Sequence, residues 1–416
     1  MSSDPGHRSP ISVRPSDPGA WDAWNAVLAH AFGEEEPPER AAFLESVREP
    51  ERCVSAYLGA DLVGVAAAFS FTMTVPGGAA LPVAGVTAVG VMPTARRRGT
   101  LRAMMRHQLD GLHEGDGEFL AALTASQPDI YGRFGYGLAT WRMSLRTPSG
   151  PGRLSTAGLP VDAVRIRLAD PAEALPDCLK VYEELMPVRP GVMLRSGGWE
   201  KRHLVAPLGE HASPLRCVLA ETDGQIRGYA YYAVAPHWDQ GGANGTTVVR
   251  EVFATDPVVR VALWRYLFEL DLMTSLQVDN LPVDDPLLYR LADPRAAKPS
   301  VMDGLFVRLV DVGRALAART YSAPVDVVLD VADEFCPWNA GRWRLVGDEH
   351  GARCERTSDA ADLALGVRGL GSLYLGGVSA AALAQAGRIT ETRRGALAHV
   401  NRAFAHDPKP LMAFGF

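Results

Sequence analysis

Lysine is nearly missing: the chain has four lysines among its 42 basic residues, and arginine supplies the rest. Cysteine is scarce too. Cys53, Cys178, Cys217, Cys336 and Cys354 form no CxxC pair and are odd in number, which excludes a fully paired disulfide framework and argues against a cysteine zinc site. The ten histidines show neither HExxH nor HxxxH spacing, so no metal site is expected. No apolar run approaches the ~18 residues that cross a membrane, and the start, MSSDPGHRSPISVRP, lacks the apolar centre of a secretory leader. A net charge of −6 argues against a general nucleic-acid surface. These absences lead us to expect a cytoplasmic protein without metal, membrane or nucleic-acid partner.

What is present is an ordinary globular balance, 47% hydrophobic and 22% charged residues over 416 positions, enough for two to four domains. SDPGAWDAWNAVLAHAF predicts a first helix, with Asp17 and Pro18 as cap chemistry and Trp21, Trp24, Leu28, Ala31 and Phe32 on one face. An acidic loop, GEEEPPE, ends it. Two antiparallel strands are expected around Gly59 to Asp61, then a strand over LPVAGVTAVGV, a helix over RGTLRAMMRHQLDGLHEG and a strand over EFLAALTAS. Glycines punctuate DIYGRFGYGLATW. A linker-like segment, Ser149 to Pro160, follows. Later, VVREVFATDPVVRVALWRYLFEL repeats the order strand, proline, helix of VTAVGVMPTARRRGTLRAMM, but VVRVAL stands after the proline in place of TARRRG.

The stretch VTAVGVMPTARRRGTLRAMM, from Val86 to Met105, carries the chemistry. A helix start leaves backbone N–H groups unpaired and bears partial positive charge. Glycine admits a ligand close to that backbone, and arginine adds fork-shaped donors suited to phosphate. Arg96 to Thr100 therefore read as a pyrophosphate cradle. Neither GxxxxGK[ST] nor GxGxxG is present, so the cradle is not a P-loop or a dinucleotide fingerprint.

Strand, proline and RRRG opening a helix resemble the acetyl-CoA site of GNAT acetyltransferases. VGVMPTARRRGTLRAMM, with IYGRFGYGLAT and a later LGSLYLG, is similar to the Eis family of aminoglycoside N-acetyltransferases over nearly the whole chain. The resemblance implies an α+β fold: two GNAT-like domains, the second degenerate, and a sterol-carrier-like α+β domain, at 1–148, 149–299 and 300–416. It implies acetyl-CoA as co-substrate, with Val89 and Val91 on the strand facing pantetheine and Arg96, Arg97, Gly99 and Thr100 at the pyrophosphate. Tyr131 would be the general acid, and the α-carboxylate of Phe416 the general base. A homohexamer is also implied. Two departures stand out. Gly415 replaces the acidic residue expected before the terminal phenylalanine, and Ala88 stands where an aromatic can line the acceptor pocket.

A tyrosine, with an ordinary pKa near 10, can protonate a leaving thiolate. Tyr136 is the competing tyrosine, read as structural. Ser126 is expected to orient Tyr131 or to cap the next helix. A terminal carboxylate, ordinarily near 3.5, needs burial to act as a base, and Phe404 and Phe414 are its expected surroundings. Glu34, Glu35 and Glu36 are candidates for drawing in a cationic acceptor. The expected function is acetyl transfer to primary amines of aminoglycosides or similar polyamines. The alternatives are transfer to protein lysines, or a catalytically silent protein that senses CoA or binds small apolar ligands.

Overall fold

The computed structural model describes residues 10–205 and 212–416. In chain order the first unit holds β1 (Ile11–Pro15), α1 (Trp21–Phe32), α2 (Pro38–Ser46), β2 (Val54–Leu58), β3 (Asp61–Thr74), β4 (Ala80–Val91), α3 (Thr100–Glu114), β5 (Leu120–Thr124), α4 (Pro128–Tyr131) and β6 (Gly137–Leu138). The Asp17 carboxylate accepts the Gly19 N–H at 2.9 Å and opens the turn into α1. Gly33, at φ 77, ends that helix in the left-handed conformation. The buried face of α1 is Trp24 and Val27, whereas Phe32, expected on it, is 48% exposed. Helix α3 buries Met104, Met105 and Leu109, as its periodicity predicts.

The second unit runs through β7 (Trp141–Pro148), β8 (Arg165–Ala169), α5 (Pro171–Leu185), α6 (Arg202–Val205), β9 (Arg216–Thr222), β10 (Gln225–Ala235), a short hairpin of β11 (Trp238–Asp239) and β12 (Gly242–Ala243), β13 (Gly245–Ala254), α7 (Pro257–Phe268), β14 (Met273–Pro282) and β15 (Ser300–Asp303). The chain continues through β16 (Leu305–Leu309), α8 (Val312–Ala317), β17 (Val325–Ala332), β18 (Gly341–Gly347), β19 (Ala352–Arg356), β20 (Leu363–Gly366), α9 (Val367–Leu373), α10 (Ala380–Gln385), β21 (Ile389–Glu391) and α11 (Ala396–Phe404).

The first sheet has the order β1-β2-β3-β4-β5-β16-β6, and the second β8-β9-β10-β13-β14-β7-β15. In each, one neighbouring pair is parallel, β4 with β5 and β13 with β14. The duplication hinted at by the repeated strand-proline-helix string is therefore a duplication of whole sheets. The two units also exchange a strand. β7 follows β6 in sequence but lies in the second sheet, between β14 and β15. β16 follows β15 but lies in the first, between β5 and β6.

The expected breaks after 148 and 299 do not follow the sheets: Trp141–Pro148 joins the second sheet, Ser300–Asp303 remains in it, and Leu305–Leu309 returns to the first. Local patterning marks a strand but does not say which sheet receives it, because the partner is chosen by long-range pairing.

The third unit is a five-stranded sheet, β19-β18-β17-β20-β21. It is fixed to the first through β16, where Arg308 pairs with Asp333 at 2.6 Å with both side chains buried. The LGSLYLG string lies on and just beyond α9, which packs on β16 and β6. A continuous apolar core joins Phe71 and Val83 of the first unit to Trp199 of the second and Leu329 and Leu370 of the third.

Candidate active site

Strands β4 and β5 pair only at Ala84 with Ala121 and Gly85 with Ala122. Beyond that point they have no ladder. On the other side of β4, Val65 faces Gly90 and Ala67 faces Thr87, which leaves one extra residue on β4. Ala88 takes the strain of this bulge at φ 51. The backbone of the Val89 to Val91 segment thus presents an edge toward β5 without a strand partner, and such groups need one.

The arginine-glycine turn follows. Arg97 is left-handed at φ 61, and Gly99 at φ 92 caps α3 without any side-chain hydrogen bond. The N–H groups of the first turn of α3 are left to an external acceptor, at the positive end of a 15-residue helix. Arg96 donates to the Ala31 carbonyl at 3.0 Å and ties the turn to α1, while Arg97 and Arg98 are exposed. Thr100 departs from expectation. Its side chain is buried and its hydroxyl points at the Ala95 carbonyl, 3.5 Å away, so its contribution to a cradle is its backbone N–H. In the second unit the matching helix start is closed. Asp256 accepts from the N–H groups of Val258 and Val259 at 2.8 and 3.0 Å, which puts a carboxylate where an anion would have to sit.

A cleft of about 1310 Å³ opens between the first two units and the chain terminus. Val89, Ala88, Ser126, Tyr131, Glu34, Glu35 and Phe416 all line it. It does not bring in Arg96, Arg97, Gly99 or Val91, which belong to the turn and strand end outside it. Tyr131 closes α4 and is 7% exposed, with burial pushing its phenol up to about 12. It remains a proton donor at any physiological pH. Tyr136, its ring 6.1 Å away edge-to-face, is fully enclosed, and its hydroxyl has no partner among the described residues. The two tyrosines differ in access, and only Tyr131 reaches the cleft. Ser126 is exposed and neither caps α4 nor bonds Tyr131: the cap position belongs to Gln127, which makes no side-chain cap bond.

Phe416 is seated by residues that carry no local motif. Its ring packs 4.9 Å from that of Phe71. Gly85 makes the room, since a Cβ there would meet the Phe71 ring at 2.5 Å and the Phe416 ring at 3.1 Å. Thr124 donates its hydroxyl to a carboxylate oxygen of Phe416 at 3.3 Å. Asn280 holds the preceding backbone, donating to Met412 at 2.9 Å and Ala413 at 3.3 Å. Phe414 stacks on Trp199 with ring centres 5.8 Å apart. Phe404, expected nearby, instead packs on Tyr321 at 5.1 Å in the third unit, because α11 faces β17.

Under the second-unit wall lies a buried charge cluster. Arg195 grips Glu251 through two hydrogen bonds of 2.9 and 2.6 Å, and Tyr229 donates to the same carboxylate at 2.8 Å. His203 lies 3.0 Å from it. Burial alone would raise the Glu251 carboxyl, but Arg195 and His203 hold it well below the usual range. Burial lowers His203 from its ordinary value, against the pull of Glu251. Among the described residues no group of histidine, cysteine and carboxylate side chains is arranged to hold a metal.

Comparison with known proteins agrees with this architecture. Residues 12–139 and 191–309 each match an acetyltransferase (GNAT) domain family, and residues 312–413 match a sterol carrier protein domain family. The N-acetyltransferase Eis of Mycobacterium tuberculosis is 36% identical over 368 residues, covering 86% of this chain and 87% of its own. The chain belongs to the Eis family of N-acetyltransferases. An uncharacterized N-acetyltransferase of Streptomyces coelicolor is 50% identical over 407 residues, covering 95% of this chain and 97% of its own. The crystal structure of Eis1 from Mycobacterium abscessus superposes with a TM-score of 0.82 at 29% identity, covering 98% of this chain and all of that one. The enzyme is thus an N-acetyltransferase with two GNAT domains and a sterol-carrier-like domain. No helix among the described residues is long and apolar enough to cross a membrane.

Sequence reading missed Thr124, Asn280, Trp199, Arg202 and Arg250. The last four come from the second unit, where no motif points to a role. They line the cleft or seat its tail because of how the two sheets face each other.

Proposed function

We propose that the enzyme transfers the acetyl group of acetyl-CoA to a primary amine of aminoglycosides or similar polyamines. The observation that supports this reading best is that Tyr131 and the chain terminus at Phe416 share one cleft whose first-unit wall carries Asp22, Glu34, Glu35, Glu45 and Glu49. Such a wall raises the local concentration of a cationic acceptor.

The unladdered edge of β4 and the open start of α3 fit acetyl-CoA. The edge takes the amides of the pantetheine arm, and the N–H groups of Gly99 to Arg102, with Arg97, take the pyrophosphate. Bound there, acetyl-CoA supplies a thioester carbonyl for attack by the amine. The Phe416 carboxylate takes the proton the amine must lose. Tyr131 gives its proton to the departing thiolate as the C–S bond breaks and the C–N bond forms. The seat of Phe416 against Phe71 and Thr124 fixes the base, and the burial of Tyr131 keeps the acid protonated. As in the family resemblance, we propose a homohexamer as the assembly, which light scattering of the purified protein checks.

The deciding experiment is thiol release from acetyl-CoA with a panel of aminoglycosides, linear polyamines and lysine peptides. Acetylation of the first two groups supports the reading. Turnover confined to lysine peptides would replace the acceptor class, and no turnover with any amine would overturn the proposal.

A further inference from the structure

The second-unit wall of the cleft carries Arg142, Arg202 and Arg250 beside Asp279 and Asp303. Arg250 lies at a bulge of β13: Tyr231 faces Glu251 and Tyr232 faces Val249, so Arg250 has no partner across the ladder. β14 breaks register at the same level, between Val278 and Leu281, which turns Asp279 and Asn280 into the cleft. These bulges are the second sheet's counterpart of the bulge at Ala88. The degenerate unit has zipped its own β13–β14 cleft from Gly245 to Val249 and uses its bulged strands as a wall of the first unit's cleft.

Arg142 is engaged with the Asp303 carbonyl at 3.1 Å, which leaves two guanidinium groups in that wall, Arg202 and Arg250. Neither lies within 4.0 Å of a carboxylate among the described residues, although Arg40 beside them is paired with Glu36 at 2.7 Å. Arg250 also has an enclosed Nε–H with no acceptor. Glu251, the buried carboxylate that acts on Arg202, is already committed to Arg195, Tyr229 and His203. Arg202 is half-buried, and burial together with Arg40 and Arg195 lowers it to about 10. Space beside it is open: a Cβ at Gly415 would find nothing within 4 Å except Arg202 Nη2, at 3.9 Å. Asp279 acts on Arg250 through space without forming an ion pair with it. Half-buried guanidinium groups without a paired carboxylate are costly, and a bound anion is the ordinary remedy. Their fork geometry suits a carboxylate.

We propose that Arg202 and Arg250 form an anion subsite of the acceptor cleft, and that the preferred acceptor is a primary amine that also carries a carboxylate. The acidic first-unit wall takes the ammonium groups and the arginine wall takes the carboxylate, so the acceptor is oriented between charges of opposite sign. The three arginines of the α3 turn lie outside this cleft, so the subsite is separate from the proposed pyrophosphate cradle. This proposal rests on the acetyltransferase reading above and moves the preferred acceptor from aminoglycosides and linear polyamines, which carry no carboxylate, to amines that do.

The test compares lysine, lysinamide and cadaverine as acceptors, in thiol release and in calorimetry on the CoA-loaded protein. Wild-type protein is expected to show a KM about tenfold lower for lysine than for the two analogues without a carboxylate, as loss of a charge-assisted contact predicts. In Arg202→Gln and Arg250→Gln the cadaverine-to-lysine KM ratio falls to near one, with melting curves confirming that both variants are folded. Cadaverine or lysinamide used as well as lysine would overturn the subsite and leave the acetyltransferase reading standing. A uniform loss on all three amines would assign Arg202 to the Phe416 carboxylate instead and overturn its role here. If no amine is acetylated, calorimetry decides: carboxylate-dependent binding lost in both variants supports the subsite, and its absence overturns it.

Discussion

Gly137, in the IYGRFGYG string, and Gly371, in LGSLYLG, meet backbone to backbone across the junction of the first and third units. A Cβ built on Gly137 would lie 2.1 Å from the Arg368 carbonyl oxygen, and one on Gly371 2.2 Å from that of Val307 and 3.0 Å from the Gly137 nitrogen. The two glycine-bearing motifs therefore serve one contact, where α9 approaches the strand pair β6–β16. Neither glycine has a positive φ, so close approach and not backbone conformation demands them.

Gly137→Ala or Gly371→Ala forces backbone to move, and overpacking of this kind costs roughly 1–3 kcal/mol. Each variant is expected to melt several degrees lower than wild type in differential scanning calorimetry. Because the same junction positions α4, acetyl transfer should fall as well. An unchanged melting temperature in both variants would mean that the junction relaxes freely.

The cradle makes a separable prediction. Replacing Arg96 and Arg97 by alanine removes charge-assisted phosphate contacts worth roughly 1.5–3 kcal/mol each. Acetyl-CoA affinity measured by calorimetry should drop about tenfold or more, with Arg96 contributing partly by tying the turn to α1. An Asp256→Ala change in the second unit should not create CoA binding there, because β13 and β14 remain laddered. Two nucleotide sites per chain in any CoA complex would contradict this.

For the acid, Tyr131→Phe is expected to lower kcat on the order of 10²-fold with acetyl-CoA affinity kept, and Tyr136→Phe to leave kcat far less affected. The pH profile adds a sign. An ordinary tyrosine begins to lose its proton near pH 10, but burial pushes Tyr131 up to about 12. Because the acid must be protonated to work, no alkaline fall in kcat traceable to this group should appear by about pH 10. A large effect of Tyr136→Phe with none from Tyr131→Phe would exchange their roles.

For the base, two C-terminal changes are decisive. Deleting Phe416 leaves a carboxylate one residue short and without the ring that packs on Phe71. A short Gly-Ser extension keeps the ring and turns its carboxylate into an amide. Both should lose nearly all amine acetylation in the thiol-release assay while still binding acetyl-CoA. Full activity in the extended protein would send the search for the base to Glu34, Glu35 and Glu36.

The buried cluster predicts an acid weakness. Glu251→Gln leaves Arg195 buried without a counter-charge, a loss of about 3–5 kcal/mol. In the wild type, Glu251 is held below the usual carboxylate range and His203 below its ordinary value. The unfolded chain therefore binds more protons at both sites. The His203 contribution is complete above about pH 6.5 and declines below it, and that of Glu251 declines below about pH 4.3. Urea denaturation should show stability falling with pH, first across the histidine range. Equal stability at neutral pH and about pH 5 would contradict the assignment to His203.

Local patterning was enough to set the individual pieces. The hairpin around Gly59, the β4–α3 unit and its echo at β13–α7 are legible because apolar periodicity, proline and glycine act over a few residues. The open α3 start followed from Arg96 to Gly99, and Tyr131 stood out beside its glycines. The family resemblance, not spacing, drew attention to Phe416. Tertiary structure alone decided that β7 and β16 change sheets, since strand partners are chosen by pairing across more than a hundred residues. It also decided that Tyr131 has access to the cleft and Tyr136 does not. Trp199, Arg202, Arg250 and Asn280 act at the cleft or its tail only because the second sheet is turned toward the first. Such residues carry no local signal, since their function lies in a distance between segments and not in any one of them.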